Sequence, residues 1–198
     1  MILESIVTTV DPSGQVNVAP MGPQVDESDA PDWNRFVLKP FHTSTTFHNL
    51  HATRRAVIHI TDDASLFARA AVDTIAHEEA VEKFVRPLDG SSSWILRDCH
   101  RWFAVEIESE VNDGPRAQFT CRVVDSGVVR PFFGFNRAKH AVIEAAILAT
   151  RVHLIPASSL IEQLELLKPL VEKTGGTAER DAFQMLQNTV HARIAENN

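Results

Sequence analysis

Pro40-Phe41-His42-Thr43-Ser44-Thr45-Thr46-Phe47-His48-Asn49-Leu50 stands between a strand-like run, Arg35 to Lys39, and a second apolar run, Ala56 to Ile60. It reads as the end of a strand, a hydroxyl-rich turn and a short helix. Four consecutive hydroxyl residues suit a helix start better than its interior, because their side chains compete for backbone hydrogen bonds and cap well. The first amides of such a helix, its positive dipole end and the hydroxyl donors together suit a phosphate. Lys39, Arg54 and Arg55 are nearby sources of positive charge. A plainer reading stays open, in which Thr43 or Ser44 simply caps a surface helix.

Outward from this turn, the chain gives several strands before it and after it. Ile2 to Val10 is apolar and β-branched, Asp11-Pro12-Ser13-Gly14 is a turn, and Gln15 to Val18 alternates again, so a hairpin is predicted at the start. Ala19-Pro20-Met21-Gly22-Pro23 is expected to break regular pairing, since its prolines remove ladder donors and Gly22 permits a close approach. A flat ligand or an ordinary strand end both fit there. Gln24 to Asp32 reads as a solvated acidic loop, Asn34 to Phe41 as a third strand and Arg55 to Thr61 as a fourth.

Asp62-Asp63 is a cap for a helix carrying Leu66, Phe67, Ala70, Ala71, Val72 and Ile75. His77-Glu78-Glu79 lacks the second histidine of a zinc-protease motif and reads as a helix end. Trp94 to Leu96, Trp102 to Val111 and Ala117 to Val129 are strands, the last two joined by Asn112-Asp113-Gly114-Pro115. Short connections and the absence of repeated βαβ units favour an antiparallel sheet closing into a small barrel of about six strands.

After Pro131 the pattern turns helical. Asn136 caps a helix from Arg137 to Arg151 that is apolar on most sides, so its charged residues Arg137, Glu144 and Arg151 are expected to need partners. Ser159 with Glu162 suggests a capping box, Gly175-Gly176 a stop, and Thr177 the cap of a last helix. These last two helices are expected to pack as an antiparallel pair, and residues 136–198 to form a helical appendage.

The chain has 198 residues, a net charge of −7 and two cysteines. That length buries about 70% of its unfolded surface without staples. The negative charge argues against a general nucleic-acid binder, two cysteines fit a reducing cytoplasm, and no apolar run approaches the roughly 18 residues of a membrane helix.

The hairpin Val7-Thr8-Thr9-Val10…Gly14…Val16-Asn17-Val18-Ala19-Pro20-Met21-Gly22, followed by Thr43-Ser44-Thr45-Thr46-x-x-Asn49-Leu50 and a strand, resembles the FMN-binding split barrels. These include flavin reductases and pyridoxamine phosphate oxidases. More closely, the chain is similar to the family called domain of unknown function four-four-seven, which Phe135-Asn136-Arg137-Ala138 and Ala149-Thr150-Arg151 also resemble.

The resemblance implies an α+β protein, with an antiparallel split β-barrel of FMN-binding type over residues 1–135 and a C-terminal helical appendage over 136–198 packed on the barrel. It also implies a homodimer with FMN at the subunit interface. Asn17, Ala19, Pro20, Met21 and Gly22 would lie along the flavin ring, and Thr43, Ser44, Thr45, Thr46 and Asn49 would hold the phosphate. Beside the resemblance, Lys39 and Phe41 are candidates next to that turn, and Arg137, near a helix start, either pairs internally or reaches an anion across the interface. The basic residues that split barrels place against the phosphate are not clearly matched.

The leading expectation is a flavin-dependent oxidoreductase or flavin reductase-like protein in the cytoplasm, acting on a small-molecule electron donor or acceptor. Because a flavin brings its own redox chemistry, no acid–base triad need show in the sequence. The alternative is a non-catalytic flavin-binding sensor or carrier acting through a partner. FMN is the expected cofactor, with a deazaflavin also open, and no metal is expected, although His48 and His51 share a helical face with His42 close by. Cys99, Cys121, Trp33, Trp94 and Trp102 read as packing residues.

Overall fold

The structure, a computed structural model, describes residues 1–29 and 32–196. Residues 30 and 31 of the expected acidic loop, and residues 197 and 198, lie outside the described residues. In chain order the elements are β1 (Ser5–Val10), β2 (Val16–Met21), a 3-10 turn (Glu27–Asp29), β3 (Arg35–Leu38), α1 (Thr45–Thr53), β4 (Arg55–Ile60), α2 (Ala64–Val72), α3 (His77–Glu79), a π-helical turn (Ala80–Phe84), β5 (Val85–Pro87) and β6 (Trp94–Leu96). They continue with β7 (Arg101–Val111), β8 (Gln118–Val128), α4 (Arg137–Ala149), α5 (Ala157–Thr174) and α6 (Thr177–Glu196). The chain divides into two compact units, Met1–Thr61 with Ile75–Phe132, and Asp62–Thr74 with Phe133–Asn198.

The first unit is built on a six-stranded sheet in the order β2-β1-β4-β7-β8-β3, with every neighbouring pair antiparallel. β5 and β6 form a separate antiparallel pair. All six residues of β1 are buried, so its alternating side chains feed both faces of the sheet. Val7 belongs to a core with Phe36, Leu38, Leu50, Ile58, Phe103 and Phe119. The buried hydroxyls of the strand are satisfied, Ser5 donating to the Met21 carbonyl at 2.8 Å and Thr8 to the Trp94 carbonyl at 2.6 Å.

Pairing does not stop at Ala19 as expected. β2 runs through Pro20, opposite Ile6, to Met21, opposite Ser5. Because β2 is an edge strand, a proline missing its N–H costs no ladder bond on the open side. Single-residue bridges Ile2–Gln24 and Gln24–Val37 then tie the stretch before β1 to β3 through Gln24.

In the second unit Asp63 caps α2 by accepting from the Leu66 amide, and Asn136 caps α4 by accepting from Ala138 and Lys139. α2, α4, α5 and α6 bury one cluster that includes Ala68, Val142, Leu160, Leu164, Phe183 and Leu186. Two expected caps are corrected. α5 starts at Ala157, which puts Ser159 inside its first turn, and it continues through Pro169 to Thr174. At α6 the Glu179 side chain reaches back to the Gly176 amide at 2.9 Å, so Thr177 is the first helical residue and not the cap. Arg137, Glu144 and Arg151 are exposed, and the expectation of buried charges on α4 is wrong, because the apolar side of that helix is wide enough to hide Ala, Val and Leu while leaving a solvent stripe.

Candidate functional site

The hydroxyl turn folds as a strand-to-helix junction. Ser44 is the cap of α1: its Oγ accepts from the Phe47 amide at 3.1 Å and donates to the Phe41 carbonyl at 2.8 Å, while its own amide donates to that carbonyl at 3.0 Å. The amides of Thr45 and Thr46 precede any intrahelical acceptor, as in every helix start. Thr43 and Thr45 are exposed beside them. Thr46 and Asn49 are turned inward, at 3% and 5% exposure. The Asn49 amide donates to Thr9 Oγ1 at 3.0 Å, and Thr46 Oγ1 accepts from Asn17 Nδ2 at 3.2 Å. The turn and the β2 segment, separate in sequence, are thus hydrogen-bonded to one another.

On β2, Asn17 pairs with Thr9, Ala19 with Val7 and Met21 with Ser5, so these three share a face with the core residue Val7. All of Asn17, Ala19, Pro20, Met21 and Gly22 are half-buried. The close approach at Gly22 has an identified neighbour: a Cβ there would lie 2.8 Å from the Ile2 side chain.

The basic residues divide sharply. Arg54 donates to Glu110 at 3.0 Å and to the Ile107 carbonyl at 3.2 Å, and Arg55 donates to Ser92 at 3.0 Å, so both are engaged away from the turn. Lys39 is half-buried, and its carbonyl accepts from Arg116 at 3.3 Å. Arg116 lies with its guanidinium 3.8 Å over the ring of Phe41, which is itself about half exposed. It brings a positive charge to the turn from the β7–β8 hairpin, and the sequence offered no sign of it beyond the turn residues before it. Arg137 stands exposed at the first position of α4, in the second unit.

His51 reaches Glu110 at 2.9 Å and stacks on Phe47, while His42 meets Phe47 edge-on and the Gly114 carbonyl at 3.3 Å. Burial opposes ionisation of Glu110, but hydrogen bonds from Asn112 and His51, with the charges of His51 and Arg54, hold its carboxyl below the ordinary value. Among the described residues no group of three histidine, cysteine, aspartate or glutamate side chains is placed to hold a metal, nor is any helix long and apolar enough to cross a membrane. Burial pushes the Cys99 thiol up to about 11 and that of Cys121 up to about 12, which makes both poor nucleophiles. A cleft of about 280 Å³ lined by Arg55, Leu88, Ser91, Glu106 and Asp125 holds, of the candidate residues, Arg55 alone.

The fold is shared with proteins of known structure, among them flavin-binding ones. Residues 3–130 match the family described as Protein of unknown function (DUF447) N-terminal domain, and residues 136–188 match Protein of unknown function (DUF447). The chain belongs to that family. It is similar over 95% of its length to an FMN-bound DUF447 protein from Methanosarcina mazei, of which it covers 94%, with a TM-score of 0.79 and 22% identity. It is also similar to the flavin reductase HpaC solved with NADP+, at a TM-score of 0.55 and 16% identity over 67% of this chain and 83% of that one. A third likeness is to an FMN-binding protein from Thermus thermophilus with bound 1-cyclohex-2-enone, at a TM-score of 0.53 and 15% identity over 64% and 70% of the two chains. At these identities the likeness is one of fold. No curated protein matches the chain.

Proposed function

We propose that this chain binds FMN, with the phosphate at the start of α1 and the flavin ring along β2, and that it works as a flavin-dependent oxidoreductase of the flavin reductase type. The observation that carries this reading is the Asn17–Thr46 hydrogen bond of 3.2 Å, which fixes a hydroxyl-lined helix start against the strand that would meet the ring. The residues present fit such a group. Thr43 and Thr45 are exposed hydroxyl donors, the first amides of α1 and its dipole favour an anion, and Arg116 adds charge beside Phe41.

When bound, the flavin supplies hydride and electron transfer. The chain's own task is to hold it. Thr43 and Thr45 bind the phosphate, Arg116 and Lys39 offset its charge, and Ala19, Pro20, Met21 and Gly22 give the ring a half-buried, uncharged surface. Ser44, Thr46 and Asn49 act one step back, by fixing the turn and helix. The sheet reads as a split barrel closed through Gln24, consistent with the Ile2–Gln24–Val37 bridges, with residues 136–198 as its helical appendage.

We read the active form as a cytoplasmic homodimer with the flavin at the subunit interface, where Arg137 of one copy can approach the phosphate. The open edge of β2, and Phe133 and Phe135 at 96% and 88% exposure, are surfaces that a second copy would cover. The test is an absorption spectrum of the gently purified protein followed by FMN titration, comparing the native chain with Thr43→Ala/Thr45→Ala. Tight binding weakened by about 1–3 kcal/mol in the variant, with bleaching of the flavin by reduced nicotinamide, supports the assignment. Binding without bleaching favours a carrier or sensor, and no binding of FMN, FAD or deazaflavin defeats the flavin reading.

A further inference from the structure

At the first residue of β2 the Val16 amide has no strand to donate to, because β2 is the outer strand of its sheet. It donates instead to Nδ1 of His77, at 3.0 Å and from 61 residues away. An imidazole nitrogen that accepts an N–H bond carries no proton, so this contact exists only with His77 neutral and its proton on Nε2. The ring is held on a second side by Trp94, edge-on at 6.0 Å and 84°. Asn17, next in the chain, is the residue that reaches Thr46.

We infer that His77 is a positioning residue for β2, fixing the Asn17 end of the strand against α1 while its imidazole is neutral and releasing it when the imidazole is protonated. The inference rests on the reading of β2 as the flavin-ring strand. Protonation replaces an acceptor by a donor, and two N–H groups then face each other across the former bond. β2 and β6 carry no charged residue, and on the histidine's own turn the charges are Glu78 and Glu79, with Glu79 paired to Lys83 at 3.0 Å. The neighbouring strands therefore offer no carboxylate to take over the lost contact.

A parallel arrangement stands on the adjacent strands. The Leu96 amide donates to Nε2 of His59 at 3.1 Å, while Nδ1 of that ring lies 3.0 Å from the Ile6 carbonyl. Two neutral imidazoles thus join residues 77–96 to the main sheet. His77 differs in being half-exposed, so that solvent reaches its ring.

The test measures FMN and riboflavin affinity from pH 8 to pH 5 in the native chain, His77→Gln and His77→Leu, with the scalar coupling across the Val16 N–H···Nδ1 bond followed by NMR. Riboflavin is included because a phosphate monoester changes charge near pH 6, about where the second phosphate proton is lost. The expected result is a coupling present at pH 8 and gone at pH 5, with riboflavin affinity falling about tenfold in parallel, as for one orphaned amide. His77→Gln, whose amide oxygen still accepts, should keep its affinity across the range, and His77→Leu should be weak throughout. Flavin binding with the same pH profile in His77→Gln as in the native chain would overturn this inference alone. A coupling that persists with no flavin bound at any pH would overturn the flavin reading and this inference with it.

Discussion

Asn17 on β2 and Thr46 on α1 are hydrogen-bonded at 3.2 Å, with Thr46 only 3% exposed. This one contact ties the two halves of the candidate site together, and the adjacent Asn49–Thr9 bond of 3.0 Å repeats it one helical turn further on. Their joint effect is to fix the start of α1 on the sheet before any ligand arrives, which lowers the ordering cost of binding.

If that coupling sets the site, Asn17→Ala and Thr46→Val should each weaken FMN binding several-fold, and the double variant should be little worse than either. A double-mutant cycle is expected to give an interaction energy of about 1 kcal/mol. Strictly additive losses would mean that the two residues act independently.

The pH dependence of folding should show His59. Burial pushes its imidazole down to about 4 from the ordinary 6.5, against a smaller opposing contribution from the Ile6 carbonyl. The unfolded chain therefore binds the proton more readily than the folded one, so this contribution to stability is complete above pH 6.5 and is lost as pH falls toward 4. Urea titrations should lose up to about 3 kcal/mol over that window from this group. His59→Gln should be less stable at pH 8 but flatter below it.

Gly127 is expected to be intolerant of any side chain. A Cβ there would sit 2.7 Å from three atoms of the Trp102 ring, which lies directly across from it in the β7–β8 register. Gly127→Ala should cost about 1–3 kcal/mol through overpacking, with a shift of tryptophan fluorescence. An unchanged midpoint and spectrum would show that the ring moves aside freely.

Arg193 fastens the second unit, donating to the Ala149 carbonyl at 2.7 Å and to the Val72 carbonyl at 2.9 Å. Those carbonyls end α4 and α2, where a positive charge also meets the favourable end of each helix dipole. Arg193→Leu should destabilise the protein by about 2–3 kcal/mol, as for lost charged hydrogen bonds. Arg193→Lys should recover only part of it, since a lysine lacks the fork that reaches both. Thermal melts of the full chain check both.

Several features of the fold were legible because their causes are local. The caps Asp63 and Asn136 sit next to the amides they satisfy, and Ser44 was one of two candidates for its helix. The strands followed from β-branched alternation, although a proline concealed the continuation of β2, because its tolerance depends on being at an edge. Ser159 and Thr177 fail as caps for a different reason: both residue types suit a helix start, but α5 begins at Ala157 and Thr177 is itself the first residue of α6.

By itself the sequence determined the order of the main strands and helices, though not β5 or the π-helical turn before it, together with the hydroxyl-rich helix start and the segments that resemble a flavin site, since each depends on neighbours along the chain. Only the tertiary structure decided which of those residues stay open. It turned Thr46 and Asn49 inward, left Thr43 and Thr45 outside, drew Arg54 to Glu110, brought Arg116 over Phe41, and set His77 on the Val16 amide. Those outcomes follow from pairings between residues up to 75 positions apart, which sheet register and packing create and which no local pattern encodes.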